Sequence, residues 1–407
     1  MRCALNSGRL SASELLESHR HRIEVWQPKV NAYTEIFADA LSKPEAIGPL
    51  KGIPISIKDS LDIEGHATTC GHPPRQIHRA GRHALCVERL LDAGATILGK
   101  TSTPEMLMNW ETFNDIHGAT RNPWRLTHTP GGSSGGESAA IAACMSAGGI
   151  GSDGGGSIRL PAALTGICGL KPTPGRVPAT GHFPNVGHPG GLLGVIGPMA
   201  RTVADLRILF GVVAGHDDSD PFSVPMAAIP IALKPRIAIV DHPDTRLAAS
   251  YLGPVSEFPA QAWERLFEVW RFFFLRLNAH PIGFPTPHTA QFLQAPPPTA
   301  DEILQMFAAR DALRTRFLKA LDEFPVLLLP NPGFAAWPLG EFPGVESMAP
   351  LTVANILGLP ALAVPIGLDA SGLPLSVQLV AKPWHEDLLL QVGENLEEAR
   401  GAFPLPS

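Results

Sequence analysis

Apolar residues in this chain come in short runs separated by helix-like stretches and turn residues. Gly52-Ile53-Pro54-Ile55-Ser56-Ile57-Lys58-Asp59, rich in β-branched residues and entered through proline, predicts a strand. His83 to Ala93 predicts a helix stopped by Gly94, and Ala95 to Lys100 the next strand. Strand, helix and strand in succession argue for an α/β body. Upstream, Ser11-Ala12-Ser13-Glu14 has the form of a capping box. It predicts a helix with Leu15, Leu16, His19 and Ile23 along one stripe. Ser134 to Met145 and Ala204 to Ala214 predict helices, the second with Leu206, Leu209 and Phe210 as its apolar face. Further strands are predicted at Arg236 to Val240, Val326 to Leu329, Ala361 to Val364 and Leu375 to Val380. The last two form a hairpin around Asp369-Ala370-Ser371-Gly372, and Glu386 to Arg400 closes the chain as a helix.

Trp263, Phe267, Trp270 and Phe274 share a helical spacing and predict one helix with a broad aromatic face. Such a face is ordinary core or the wall of an apolar substrate pocket.

Composition narrows the class. The chain has 407 residues, long for one domain, but its 41 prolines and 40 glycines form no linker-like tract, so a single domain over 1–407 is expected. Charged residues make up 17%, below the usual quarter, which fits a large buried interior. The net charge is −6 and no Lys/Arg run stands out, which argues against a nucleic-acid partner. Cys3, Cys70, Cys86, Cys144 and Cys168 lack C-x-x-C spacing and read as buried thiols rather than a zinc or disulfide framework. The first residues lack an apolar signal core, and no apolar run approaches about 18 residues. These features predict a cytoplasmic protein with no membrane span; a small-molecule substrate and a monomer or homodimer are expected alongside, though composition does not itself point to them.

Candidate chemistry concentrates between Gly131 and Arg159, where Ser133, Ser134 and Ser157 lie against glycine pairs. Glycine lets backbone N–H groups turn toward a substrate, where an attacked carbonyl develops negative charge. Three schemes compete. Gly132-Ser133-Ser134-Gly135-Gly136 satisfies G-x-S-x-G, but Leu126 to Pro130 is a poor strand for a nucleophile elbow. A phosphate-binding loop needs a lysine after the glycines, and none follows Gly135-Gly136. In the third scheme Lys58, desolvated at the end of its strand, serves as the base.

The motifs Gly131-Gly132-Ser133-Ser134-Gly135-Gly136-Glu137-Ser138 and Gly151-Ser152-Asp153-Gly154-Gly155-Gly156-Ser157-Ile158-Arg159 resemble the signature of the amidase signature family. Gly52 to Asp59 is similar to that family's lysine strand. Gly118 to Trp124, Gly166 to Thr173, Asn355 to Ala361 and Gly372 to Val380 continue the resemblance. It implies one α/β/α domain around a large mixed sheet, with no metal or cofactor. It implies a Ser–cis-Ser–Lys triad: Ser157 attacks, Ser133 bridges across a cis peptide, and Lys58 is the base. The backbone N–H groups of Gly154, Gly155, Gly156 and Ser157 match the oxyanion hole. Ser134, Asp153 and Arg159 match supporting positions, and Leu107, Met108, Asn109 and Trp110 align with the acyl side of the pocket. Their other reading is a buried helix-to-loop junction.

The chain departs from the pattern in places. Gly154 stands where several relatives carry isoleucine, threonine or another side chain, which loosens the oxyanion loop or leaves room for a bulkier acyl group. His117 stands where an aromatic is common, and packing or hydrogen bonding explains it, because the triad already has its base. The region of about 240–320 is shorter than in most relatives, which predicts a more open pocket. Low charge near the site and these aromatics favour a small, fairly apolar amide, anilide or carbamate, with esters as side substrates. The rival function is the ammonia-producing subunit of a tRNA-dependent transamidation complex. A non-catalytic relative is disfavoured because all three triad positions are filled.

Overall fold

Every residue of the strand Pro54–Lys58 is buried, its lysine included. A strand buried on both faces reads as a near-continuous apolar run, and the centre of the molecule is made of such strands. In a computed structural model the structure describes residues 4–5, 7–184, 194–226, 229, 234–277 and 296–406. The N-terminal strands are β1 (Tyr33–Leu41), β2 (Pro54–Lys58), β3 (Thr96–Thr101), β4 (Phe113–Asn114) and β5 (Gly118–Ala119). The middle holds β6 (Gly148–Asp153), β7 (Cys168–Lys171), β8 (Val195–Ala200), β9 (Ile237–Ile239) and β10 (Val255–Glu257). Last come β11 (Val326–Pro330), β12 (Ala361–Leu368) and β13 (Pro374–Ala381).

Eleven of these strands form one mixed sheet, in the order β1-β3-β2-β6-β8-β7-β12-β13-β11-β9-β10, and β4 pairs with β5 apart from it. Side chains alternate across a strand, and β12 shows what this does. Leu362 and Val364 join the core that contains Leu206, Ala248 and Leu389. Ala361 faces the core of Phe317 and Ile356, and Ala363 faces that of Ile141 and Ile158. Helices therefore cover both faces, giving the expected α/β/α layering. Strands β2 and β6 lie parallel, with Ile57 opposite Ile150. Their C-terminal ends, Lys58 and Ser152-Asp153, thus emerge side by side, at the edge where open α/β sheets carry their sites.

Expected elements appear with small shifts. The helix Ala12–Val30 begins at a complete capping box, with Glu14 N–H donating to Ser11 Oγ (3.1 Å) and Ser11 N–H to Glu14 Oε2 (2.8 Å). The closing helix spans Glu386–Arg400, and β12 and β13 pair antiparallel as a hairpin. Strands β1, β6, β7 and β8 and the helix Ala300–Glu323 were not anticipated.

The aromatic stripe is a correction. Trp263 ends a 3-10 turn, Arg265 takes a left-handed φ of 62°, and a new helix starts at Leu266. The break destroys the common face. Trp270 is buried in the core and Phe267 is 43% exposed, while Trp263 packs edge-on against Phe317 at 4.9 Å. The side chain of Phe274 and residues 278–295 of the expected variable region lie outside the described residues. Among the described residues Cys70, Cys86, Cys144 and Cys168 are free thiols, and no helix is long and apolar enough to cross a membrane.

Ser11→Ala removes one half of the capping box. Urea unfolding should show a loss of about 1 kcal/mol, with amide turnover at 25 °C unchanged because Ser11 is remote from the β2–β6 edge.

Candidate active site

Strand β2 carries Lys58 into the interior, where its side chain is fully buried. Its Nζ lies 2.7 Å from Ser133 Oγ, 2.8 Å from Ser134 Oγ, 3.1 Å from Ser152 Oγ and 3.3 Å from the Ser152 carbonyl. All are neutral oxygens. The neighbouring acid, Asp59, is engaged elsewhere: it pairs with Lys100 at 2.9 Å and accepts from the Thr69 hydroxyl and, at 3.3 Å, from Thr69 N–H. Burial without a contacting carboxylate pulls the Lys58 amine down to about 7. Lys58 can therefore be neutral near neutrality and take a proton from a serine it already touches.

Ser133 and Ser134 precede the helix Gly135–Ala142, and the peptide Gly132–Ser133 is cis. Lys58 touches both hydroxyls almost equally, so distance alone does not separate them. Their own donations do. Ser134 Oγ donates to the Ser152 carbonyl at 3.3 Å, whereas the Ser133 hydroxyl has no acceptor among the described residues. Ser134 N–H also donates to the Ser157 carbonyl at 3.2 Å and ties the two glycine runs together. Ser157 is 8% exposed, against 1% for Ser133, and its hydroxyl makes no hydrogen bond to a described residue.

The loop after β6 is shaped by a buried ion pair. Arg159 meets Asp153 in bidentate fashion, Nε to Oδ2 at 2.9 Å and Nη2 to Oδ1 at 3.0 Å. The guanidinium also reaches the Leu351 carbonyl (2.5 Å), Gln378 Oε1 (2.7 Å) and Asn355 Oδ1 (2.6 Å). Burial opposes ionisation of Asp153, but Arg159, Lys171 and Asn355 outweigh it and hold the carboxyl well below its usual range. Asp153 accepts from the N–H groups of Gly156 (2.7 Å), Ile158 (3.2 Å) and Arg159 (3.4 Å). Gly156 has φ +101°, and an added Cβ would sit 3.0 Å from Leu351 Cβ, so this turn requires glycine.

That geometry alters one expectation. The Gly156 N–H is committed to Asp153 and is not free to meet an oxyanion. The N–H groups of Gly154, Gly155 and Ser157 donate to nothing among the described residues and remain available. Space beside Gly154 is open: a methyl group on its Cα would meet no atom within 4 Å.

Of the residues expected on the acyl side, Leu107, Met108 and Asn109 are half-buried and Trp110 is 8% exposed. The backbone there is unusual, with φ of 54° at Met106 and 64° at Leu107. His117 makes backbone contacts, its N–H to Asn114 Oδ1 (2.8 Å) and its carbonyl to Asn31 Nδ2 (2.6 Å), and burial lowers its imidazole. Charge near the site is higher than expected. Lys58, Asp59, Lys100, Glu137, Asp153, Arg159 and Lys171 are all buried there. The interior tolerates them because most are paired or hydrogen-bonded. Glu137, held by the Ser56 and Thr101 hydroxyls, is pushed up to about 7 by burial.

Sequence reasoning missed Ser152, Glu137, Asn355 and Gln378 as site residues. All four stand inside the motifs already noted, but nothing in their spacing shows which side chains turn inward. Among the described residues no three His, Cys, Asp or Glu side chains come close enough to hold a metal ion.

The amidase family model matches residues 14–228 and 284–390. The A-type subunit of a glutamyl-tRNA(Gln) amidotransferase from Synechococcus sp. (strain CC9605) is 32% identical, covering 98% of this chain and 95% of that protein. An acylamidase of Rhodococcus erythropolis is 29% identical, covering 98% and 94%. A 6-aminohexanoate cyclic dimer hydrolase complexed with substrate superimposes with a TM-score of 0.86 at 28% identity, covering 98% and 96%. A peptide amidase in complex with chymostatin gives 0.84 at 27%, covering 100% and 97%. The chain belongs to the amidase (amidase signature) family, whose members hydrolyse amide C–N bonds. The family match leaves residues 229–283 outside it.

Arg159→Met strands the Asp153 carboxylate without its charge partner. Thermal and urea unfolding should show a loss of about 3–5 kcal/mol. The double variant Asp153→Asn/Arg159→Met should recover part of that loss in a double-mutant cycle.

Proposed function

We propose that this chain is a serine amidohydrolase acting on linear, non-peptide amides through an acyl-enzyme on Ser157. The observation that carries the reading is the buried Lys58 amine, lowered to about 7 and 2.7 Å from the Ser133 hydroxyl. Neutral Lys58 accepts the Ser133 proton as Ser133 takes the proton of Ser157. Ser157 Oγ then bonds to the substrate carbonyl carbon, and its C=O electron pair moves onto oxygen. The free N–H groups of Gly154, Gly155 and Ser157 receive that oxyanion. When the C–N bond breaks, the electron pair leaves with nitrogen, and the proton returns from Lys58 through Ser133 to the departing amine. Water then attacks the ester, losing its proton along the same relay, and the acid is released with Ser157 restored. An amine leaves poorly unless protonated and an alkoxide leaves more readily, so esters are side substrates.

The substrate we infer is a small amide, anilide or carbamate with a fairly apolar acyl group. Trp110, stacked on Phe342 at 5.7 Å, and half-buried Leu107 and Met108 support that wall. The acylamidase and the cyclic dimer hydrolase, similar over nearly the whole chain, support amide hydrolysis. A second reading rests on the glutamyl-tRNA(Gln) amidotransferase relatives: an ammonia-producing subunit of a transamidation complex. Turnover of anilides by the isolated chain would contradict the second reading, and a requirement for a partner protein would favour it.

Ser157→Ala should abolish turnover and labelling by a fluorophosphonate. Ser133→Ala should lose far more activity than Ser134→Ala, because the Ser134 hydroxyl already donates to the Ser152 carbonyl while that of Ser133 has no such acceptor among the described residues.

The pH dependence has a defined sign. The protonated amine is inactive, so kcat/KM should rise with pH through about 7 and level off above it. Lys58→Ala should cut amide turnover by about 10²–10⁴-fold, cut ester turnover less, and erase that acid limb. Glu137 also titrates near 7, and Glu137→Gln should leave the limb in place. A limb that survives Lys58→Ala would rule out the lysine base.

A further inference from the structure

Trp110 touches the oxyanion loop directly. Its indole Nε1 donates to the Gly155 carbonyl at 3.0 Å, and the ring is 8% exposed. The other end of the same peptide, the Gly156 N–H, donates to Asp153 Oδ1 at 2.7 Å. In a trans peptide the C=O and N–H point in opposite directions. Two buried groups therefore hold the Gly155–Gly156 plane at both ends.

The segment that carries Trp110 also abuts the first glycine run. A Cβ added to Gly132 would come within 2.7 Å of the Asn109 carbonyl oxygen and 2.9 Å of the Trp110 carbonyl carbon. Thr112 Oγ1 donates to the Gly131 carbonyl at 2.8 Å and accepts from Gly135 N–H at 3.1 Å. The indole is itself backed by Phe342, stacked with an interplanar angle of 13°. Glu111 holds the turn that brings Phe342 there, accepting from Trp337 Nε1 (2.8 Å) and Gly340 N–H (3.1 Å). A continuous chain of contacts thus runs from residues 337–342 through Glu111 and Trp110 to the glycine loop.

We propose that Trp110 is a positioning residue for transition-state stabilisation, not only a wall of the acyl pocket. Its indole sets the plane of the Gly155–Gly156 peptide and so aims the free N–H groups of Gly154, Gly155 and Ser157 at the attacked carbonyl. This rests on the serine acyl-enzyme reading above. An interaction that acts in the transition state lowers kcat when removed, whereas lost ground-state packing raises KM. The positioning role therefore predicts a kcat loss independent of acyl length. A wall alone predicts a KM increase that grows with acyl length.

The test uses Trp110→Phe, which keeps an aromatic ring and removes the N–H, assayed on acetyl, butyryl and hexanoyl anilides. Active sites are counted by fluorophosphonate labelling of Ser157, so unfolded chain does not enter kcat. Removing one oxyanion donor outright costs about 10²–10³ in kcat. Misaiming the donors should lower kcat about 10–100-fold for all three anilides, with KM within about threefold of wild type. Phe342→Leu removes the stack but keeps the N–H, and should change KM more than kcat. Wild-type kcat per labelled site in Trp110→Phe, or a loss confined to KM and growing with acyl length, would overturn the inference and leave the serine mechanism standing. Turnover by Ser157→Ala would instead sink the mechanism on which the inference rests.

Discussion

Two lysines and one aspartate share the interior of this protein, and the proposed chemistry depends on which lysine the aspartate takes. Lys58 and Asp59 are sequence neighbours, yet Asp59 pairs with Lys100. The acid beside the base is thereby removed from it. A buried amine without a counter-ion favours its neutral form, and Lys58 is surrounded by hydroxyls and a carbonyl that can hydrogen-bond it without restoring its charge. Had Asp59 turned to Lys58, its carboxylate would have favoured the protonated amine.

The second buried pair has a mechanical role. Asp153 and Arg159 fold the loop after β6 back on itself, and Arg159 extends the network to Leu351, Asn355 and Gln378. These partners come from the helix Ala349–Ile356 and from β13, far along the chain from the glycine loop. The C-terminal third of the protein therefore braces the loop of the proposed nucleophile. This explains why motifs so distant in sequence accompany one another here.

Much of this was legible in the sequence. Alternating strands and helices announced the α/β class, and the glycine-serine runs with Lys58 marked the candidate site. What stayed hidden has physical causes. Strand β6, Gly-Gly-Ile-Gly-Ser-Asp, has poor strand propensity, and it becomes a strand through its ladders with β2 and β8. Ser152 was missed with it, since its contact with Lys58 depends on that strand. The aromatic stripe failed because a single left-handed residue, Arg265, breaks the helical period. Gly156 was assigned to the oxyanion hole from its position in the motif, but the direction of its N–H is set by the Asp153 carboxylate, which no spacing reveals.

The central claim is that Lys58 is a neutral base near neutral pH. The direct test is an NMR titration of the lysine ε-methylene signals in selectively ¹³C-labelled protein, with Lys58 assigned by comparison with Lys58→Met. Lys171 is also lowered to about 7 by burial, so the difference spectrum is essential. The account predicts a Lys58 midpoint near 7. A midpoint near the value of a free lysine, about 10.4, would contradict it.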